Sequence, residues 1–293
     1  MEEILVPSPV VLEKKTKTRF KLALFLFLLT GVTTLFAGAL LSGANPFRNP
    51  GDLTKGISFS VSLMIILLSH ELGHYLACRR YGVDASLPYF IPAPPYPFII
   101  GTFGAFIKMR SPVIHKKALF DIAVAGPIAG FVLSCAALIT GIPLSEVTLK
   151  APDAQSISFG NSPIFYFFVH QLIGSLPEGY FIDLHPVAFA GWIGLFVTCL
   201  NLIPIGQFDG GHLVYALFGR RHRMISVFSV VLLMFAGFLG WPGWWIWGIL
   251  GALIGLRHPP LEDQEIKLDG GRILVGWLSL LMFAGTFILV PFS

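Results

Sequence analysis

The segment 69–74, SHELGH, holds two histidines and a glutamate at a spacing suited to metal chemistry. On a helix, residues four apart share one face, so His70 and His74 can offer two imidazoles to one metal ion. Glu71 lies beside them, where its carboxylate can act on a metal-bound water. The HExxH pattern indicates a metal-dependent hydrolase. The structural alternative is a pair of histidines hydrogen-bonded inside a helical bundle.

The surroundings of this motif favour the chemical interpretation. The motif ends an apolar run, 57–68, in a chain of 293 residues that is 55% hydrophobic and only 12% charged. Soluble domains carry about 25% charged residues, so we predict an integral protein of the lipid bilayer. Polar side chains at membrane depth are usually functional. The net charge of +4 is modest and its basic residues are spread over loops, so we expect no nucleic-acid partner.

A catalytic zinc usually has three protein ligands and a water, whereas HExxH supplies two. We predict that Asp209 is the third ligand, in the stretch NLIPIGQFDGGH that runs from Asn201 to His212. Pro204 and Gly206 should end a helix there and turn Asp209 back toward the metal. The alternative is an ordinary cytosolic turn. We expect His212, three residues after Asp209, to be a surface histidine; a place beside the metal ligands is its alternative.

Apolar runs predict seven membrane spans that would position these residues. The spans are Leu22–Leu41, Ile57–Ala77, Leu119–Thr140, Val187–Ile203, Met224–Leu239, Trp244–Leu256 and Ile273–Val290. With a cytosolic N-terminus, 17 of the 20 basic residues lie on the inner side, as the positive-inside rule requires. We therefore predict an outer C-terminus, with the HExxH pair about 10 Å from the inner end of its span.

Residues 84–112 differ from a spanning helix because they combine a proline cluster with a short apolar stretch, IIGTFGAFIKM. We predict a re-entrant or interfacial β-like hairpin, since Phe103, Phe106 and Ile107 suit a strand. Irregular backbone at membrane depth is tolerated only against protein or a wet cavity. The hairpin should therefore line a cavity.

The two separated motifs resemble the site-2 protease family of intramembrane zinc metalloproteases, which pairs HExxH with a downstream NxxPxxxxDG. The second pattern is matched by Asn201, Pro204, Asp209 and Gly210. The resemblance covers about residues 57–215. Many bacterial members carry a PDZ domain between core spans, but the segment 141–186 is too short and too aromatic to hold one. The chain therefore looks like the PDZ-less branch of the family.

The resemblance implies a role for each matching residue. His70, His74 and Asp209 would hold Zn²⁺, while Glu71 would deprotonate a zinc-bound water and later protonate the leaving amine. Asn201 would hydrogen-bond the substrate backbone or the oxyanion; a capping or packing role is its alternative.

Substrate binding is expected at the hairpin. Gly101, Gly104 and Phe106 would hold an unwound substrate helix by strand addition; a plug that seals the cavity is the alternative.

The expected fold is an all-α polytopic membrane protein, with about seven transmembrane helices around a three-helix metalloprotease core and a re-entrant β-like loop. Residues 1–56 would form a cytosolic tail and first transmembrane helix, 57–215 the intramembrane core, and 216–293 three accessory C-terminal transmembrane helices. The expected location is the cell (inner) membrane.

The expected activity is hydrolysis of peptide bonds in transmembrane segments of membrane proteins, near the cytosolic face. Two alternatives remain. A non-proteolytic metal-binding protein or transporter would not need Glu71, and a CAAX-type membrane metalloprotease would lack the NxxPxxxxDG partner motif.

Overall fold

The computed structural model describes residues 19–95, 100–149, 158–261, 263 and 266–292. Three lysines of the N-terminal tail (Lys14, Lys15 and Lys17), Lys150, and residues 96–99 of the proline cluster lie outside the described residues. The described part is mostly helical, as expected from the apolar runs.

The structure contains nine α-helices and four short strands within the described ranges. The helices are α1 (Phe20–Leu41), α2 (Ile57–Arg80), α3 (Lys116–Gly141), α4 (Pro163–Leu172), α5 (Pro186–Asn201), α6 (Asp209–Phe218), α7 (His222–Leu239), α8 (Gly243–Ile254) and α9 (Gly270–Thr286). The strands are β1 (Tyr89–Pro92), β2 (Thr102–Phe106), β3 (Glu146–Thr148) and β4 (Phe181–Asp183).

Several helices begin at a side chain that accepts a hydrogen bond from an otherwise unpaired backbone N–H group. His115 caps α3, Ser162 caps α4, His185 caps α5 and Asp269 caps α9. Proline occupies the first turn of α4 and α5, where its missing N–H group is harmless. Two histidines without a role in the sequence analysis therefore fix where core helices start.

The core is formed by α2, α3 and α5, which pack mutually, as the three-helix prediction requires. Small residues allow the close approach. A Cβ atom at Gly73 would lie 2.5 Å from the carbonyl oxygen of Ala125, and one at Gly141 would lie 2.2 Å from the backbone nitrogen of Ala188. Any larger residue at these positions would push the helices apart.

Four helical segments are long and apolar enough to cross a membrane: Phe20–Leu41, Pro50–Arg80, Lys116–Leu144 and Asp209–Leu239. The other three predicted spans correspond to shorter apolar helices, α5, α8 and α9. The count of seven spans therefore stays a prediction. Helix α2 continues three residues past the predicted end at Ala77, because Arg79 and Arg80 are good helix formers.

The predicted hairpin is present as β1 and β2, which pair antiparallel with Tyr89 opposite Phe106. Gly101, just before β2, rests on α1, where the Thr33 hydroxyl donates to the carbonyl of Gly101 at 2.7 Å. Gly101 has φ 76° and its missing Cβ would lie 2.5 Å from the Thr33 carbonyl, so only glycine fits there. The position of the hairpin in a bilayer stays a prediction.

An ion-pair cluster ties α9 to the core. Arg272 donates to both carboxylate oxygens of Asp121 on α3, at 2.8 and 2.7 Å, and also pairs with Asp269. The Tyr81 hydroxyl donates to Asp121 and accepts from Arg272 at 3.1 Å. Burial and the bond to Asp121 raise the pKa of Tyr81, which keeps its proton in place.

We expect Arg272→Met to lower the free energy of unfolding by about 1–3 kcal/mol, because a half-buried, bidentate carboxylate partner is lost. Thermal unfolding in detergent micelles measures the effect. The control is Lys55→Met, which removes an exposed ion pair with Asp52 and should change stability by less than about 1 kcal/mol. Equal stabilities of the two variants would show that the cluster does not fasten α9.

Candidate active site

Three side chains from two distant parts of the chain converge on one point. His70 Nε2 and His74 Nε2 are 3.1 Å apart, and Asp209 Oδ2 lies 3.4 and 3.2 Å from them. Ligand atoms of a tetrahedral zinc with bonds near 2.05 Å are separated by about 3.3 Å. Within the described ranges these residues are the one group of three or more His, Cys, Asp or Glu side chains that could hold a metal ion. The donor set and its spacing fit zinc.

The turn between α5 and α6 delivers Asp209. Helix α5 ends at Asn201, three residues before Pro204, and α6 begins at Asp209 itself. The chain folds back tightly, because Gly206 has φ 54° and a Cβ at Gly210 would lie 2.0 Å from the Leu202 carbonyl oxygen. The predicted helix break is therefore present, and the carboxylate stands at a helix N-terminus.

Helix α3 orients His74 and leaves room for its ring. The carbonyl oxygen of Ile122 lies 2.7 Å from His74 Nδ1, so Nδ1 carries the proton and Nε2 keeps its lone pair for a metal. A Cβ at Gly126 would lie 2.1 Å from His74 Nε2. The missing side chain at Gly126 therefore makes room for the imidazole.

Glu71 is buried beside the two histidines, with 6% of its surface exposed. The backbone of Ile107, one residue beyond β2, lies beside its carboxylate. Asn201 Nδ2 lies 3.1 Å from His70 Nε2. The structure thus brings both Glu71 and Asn201 to the metal-ligating group, as expected from the sequence.

These side chains line a cavity of about 250 Å³. Its wall includes the HExxH residues, Asn201, Asp209 and His212, and the hairpin residues Ala105, Phe106, Ile107 and Met109. Of the three predicted substrate-binding residues in the hairpin, Phe106 lines the cavity. Gly101 packs on α1 instead, and at Gly104 no heavy atom lies within 4 Å of the position that a Cβ would take.

The prediction of a surface position for His212 is wrong, because its side chain, on α6, lines the cavity. His212 Nδ1 lies 2.7 Å from Nε2 of His258, which had no assigned role. The spacing Asp209–His212 was a signal for one shared helix face. No sequence pattern indicated that the loop after α8 would bring His258 there.

Comparison with known proteins gives concordant results. A family model described as Peptidase family M50 matches residues 58–239. "Probable zinc metalloprotease EGY1, chloroplastic" of Oryza sativa subsp. japonica is 34% identical over 175 residues, which are 57% of this chain and 29% of that protein. "Probable zinc metalloprotease EGY2, chloroplastic" of Arabidopsis thaliana is 32% identical over 202 residues, 68% of this chain and 34% of that protein. No solved structure matches the chain.

The chain spans about a third of the length of these curated relatives. Their names place them in chloroplasts, which differs from the cell-membrane location expected from the sequence. The family model covers more than half of the chain, including the HExxH motif and the later stretch from Asn201 to Gly210. The chain therefore belongs to peptidase family M50, the site-2 protease family.

Proposed function

We propose that this chain is a zinc-dependent endopeptidase that hydrolyses peptide bonds in transmembrane segments of other membrane proteins. The observation that carries the proposal is the 3.1–3.4 Å spacing of the three ligand atoms of His70, His74 and Asp209 beside a buried carboxylate. Family membership and the names of the relatives, which call them probable zinc metalloproteases, support the same activity.

Zinc would be held by the two Nε2 atoms and the Asp209 carboxylate. Two imidazoles and one carboxylate form a ligand set typical of catalytic zinc. When bound, zinc supplies a Lewis acid that polarises the scissile carbonyl and lowers the pKa of a water molecule. The hydrogen bond from His74 Nδ1 to the Ile122 carbonyl holds the ring in the tautomer that this binding requires.

Glu71 is the general base and later the general acid. It accepts a proton from the attacking water and returns it to the leaving amine. Its burial, its position next to His70 in the sequence and its place on the cavity wall support this role. A protein that only stores or moves metal would need the ligands but not this carboxylate, so Glu71 favours hydrolysis over the transporter alternative.

The hairpin would bind the substrate as an added strand. Helical peptide bonds are shielded by their own hydrogen bonds and must be unwound before hydrolysis. In the described ranges β2 belongs to a two-stranded sheet, and its residues Ala105 and Phe106 line the cavity. An extended substrate segment beside β2 would therefore run past Glu71. The Asn201 amide would then donate to the substrate backbone or the developing oxyanion.

The proposal includes the membrane arrangement. An arrangement of seven spans gives the strongest inward bias of basic residues. In this arrangement residues 57–215 form the catalytic core, residues 1–56 precede it, and residues 216–293 form accessory helices. The cavity would then receive water from the cytosolic side, with the hairpin re-entering the bilayer. The proposed core boundary at residue 215 lies within α6, which ends at Phe218.

Metal removal tests the activity directly. The full chain is reconstituted in proteoliposomes with single-span model substrates, and cleavage is followed before and after treatment with a chelator. We expect chelation to abolish cleavage and one equivalent of Zn²⁺ to restore it, because the buried ligand group has no other described role. Cleavage that is unchanged in the metal-free protein would overturn the proposal.

A further inference from the structure

The histidine pair His212–His258 is the feature that the proposed mechanism leaves unused. His212 lines the catalytic cavity from α6, while His258 lies in the loop between α8 and α9. Their rings form an edge-to-face contact with centroids 4.9 Å apart, and Tyr215 stacks on His258 at 4.1 Å. The third nearby histidine, His222, bonds to the Ser226 hydroxyl at 3.2 Å and does not line the cavity.

A chain of hydrogen bonds fixes which nitrogen of each ring carries the proton. His258 Nδ1 lies 2.6 Å from the carbonyl oxygen of Pro259. A carbonyl only accepts, so Nδ1 of His258 must be the protonated nitrogen. Burial lowers the pKa of His258, so this ring is neutral at neutral pH and its Nε2 is an acceptor. His212 Nδ1, 2.7 Å away, must then donate to it.

These bonds make Nε2 of His212 a hydrogen-bond acceptor at the cavity. With its proton on Nδ1, a neutral His212 has a lone pair on Nε2. Among the described residues Nε2 of His212 has no protein partner, and it is not among the fully buried unpartnered atoms. It is therefore open to the space that His212 lines. His258 sets this state without touching the cavity.

We propose that His212 accepts a hydrogen bond from a backbone N–H group of the unwound substrate segment, and that His258 is the positioning residue that keeps it an acceptor. The inference rests on the proposed function, because it needs an extended peptide in the cavity. Unwinding a helix frees N–H groups that are costly to leave unpaired in an apolar surrounding. The Asp209 carboxylate is already engaged by His70 and His74, so His212, a neutral acceptor that lines the same cavity one turn along α6, suits the freed group.

The test replaces single amides of a substrate by esters, which removes one N–H group at a time on either side of the scissile bond. At one position we expect the ester to lower kcat/KM of the wild type about 3–10-fold, because one hydrogen bond to the substrate is lost. The effect should appear mainly in KM. At that position His212→Phe should cleave the amide and ester substrates equally. His258→Phe should weaken the discrimination, whereas His222→Phe, which disturbs the same cluster away from the cavity, should retain it.

A second measurement does not need an active His212 variant. In full-length Glu71→Gln protein, the amide form of the same segment should bind about 3–10-fold more tightly than the ester form. If esters change cleavage by the wild type and by His212→Phe to the same extent at every position, the proposed role of His212 is overturned. A wild type that cleaves no unsubstituted substrate would instead overturn the proposed function, and this role with it.

Discussion

Replacing Glu71 by glutamine is expected to lower peptide cleavage on the order of 10²–10⁴-fold, since glutamine has the same size but accepts no proton. The proposed ligands His70, His74 and Asp209 are unchanged, so the variant should still bind one equivalent of zinc. Initial rates with single-span substrates in proteoliposomes and metal content of the purified protein measure the two properties separately.

The matched control is Glu146→Gln, the same chemical change in the exposed strand β3, away from the cavity. It should cleave at the wild-type rate. A Glu71→Gln protein that is fully active would remove Glu71 from the mechanism. A variant that is inactive because it has lost its zinc would show that Glu71 supports the ligands rather than the proton transfer.

Gly126→Ala is expected to be almost as damaging, although Gly126 has no functional group. The added Cβ would lie 2.1 Å from His74 Nε2, so the imidazole must leave its position and its hydrogen bond to the Ile122 carbonyl. Loss of such an orienting bond lowers metal affinity by about 10–100-fold. Competition with a fluorescent zinc chelator measures the affinity, and cleavage should fall with it.

Gly130, one turn further along α3, provides the comparison. A Cβ there would lie 3.2 Å from His70 Nδ1 and 3.3 Å from its Cβ, which requires a shift of only a few tenths of an ångström. Gly130→Ala should therefore retain most of the zinc affinity. If both substitutions lower the affinity equally, general helix packing rather than contact with His74 accounts for the effect.

The sequence predicts that His70, His74 and Asp209 come together, because each part carries a local signal. Histidines four apart on a helix need only the helix, and the Pro204–Gly210 stretch encodes its own turn through a proline and glycines. The hairpin was predicted for the same reason, since prolines and alternating aromatics act locally. The prediction that Asp209 joins His70 and His74 needs one further assumption, namely that two polar motifs within apolar segments belong to one site.

Other contacts could not be predicted because they join segments that carry no mutual signal. Arg272 reaches Asp121 from 151 residues away, and His258 reaches His212 from 46 residues away. Each residue alone looks like an interfacial charge or a loop histidine. The backbone of Ile107, not its side chain, lies beside Glu71, so no side-chain pattern could reveal this proximity.

The separation of the ligands along the chain has a consequence for assembly. His74 and Asp209 are 135 residues apart, and α3 and α5 must be in place before they meet. Under the proposed ligand set, a nascent chain that has inserted only α2 would offer two histidines and would hold a metal weakly. The site would reach its full affinity for the metal only after α6 has docked and brought Asp209 into place. Part of the free energy of metal binding would then offset the entropy cost of closing this long loop. Metal binding would thus occur late and would stabilise the helix bundle only after its helices have assembled correctly.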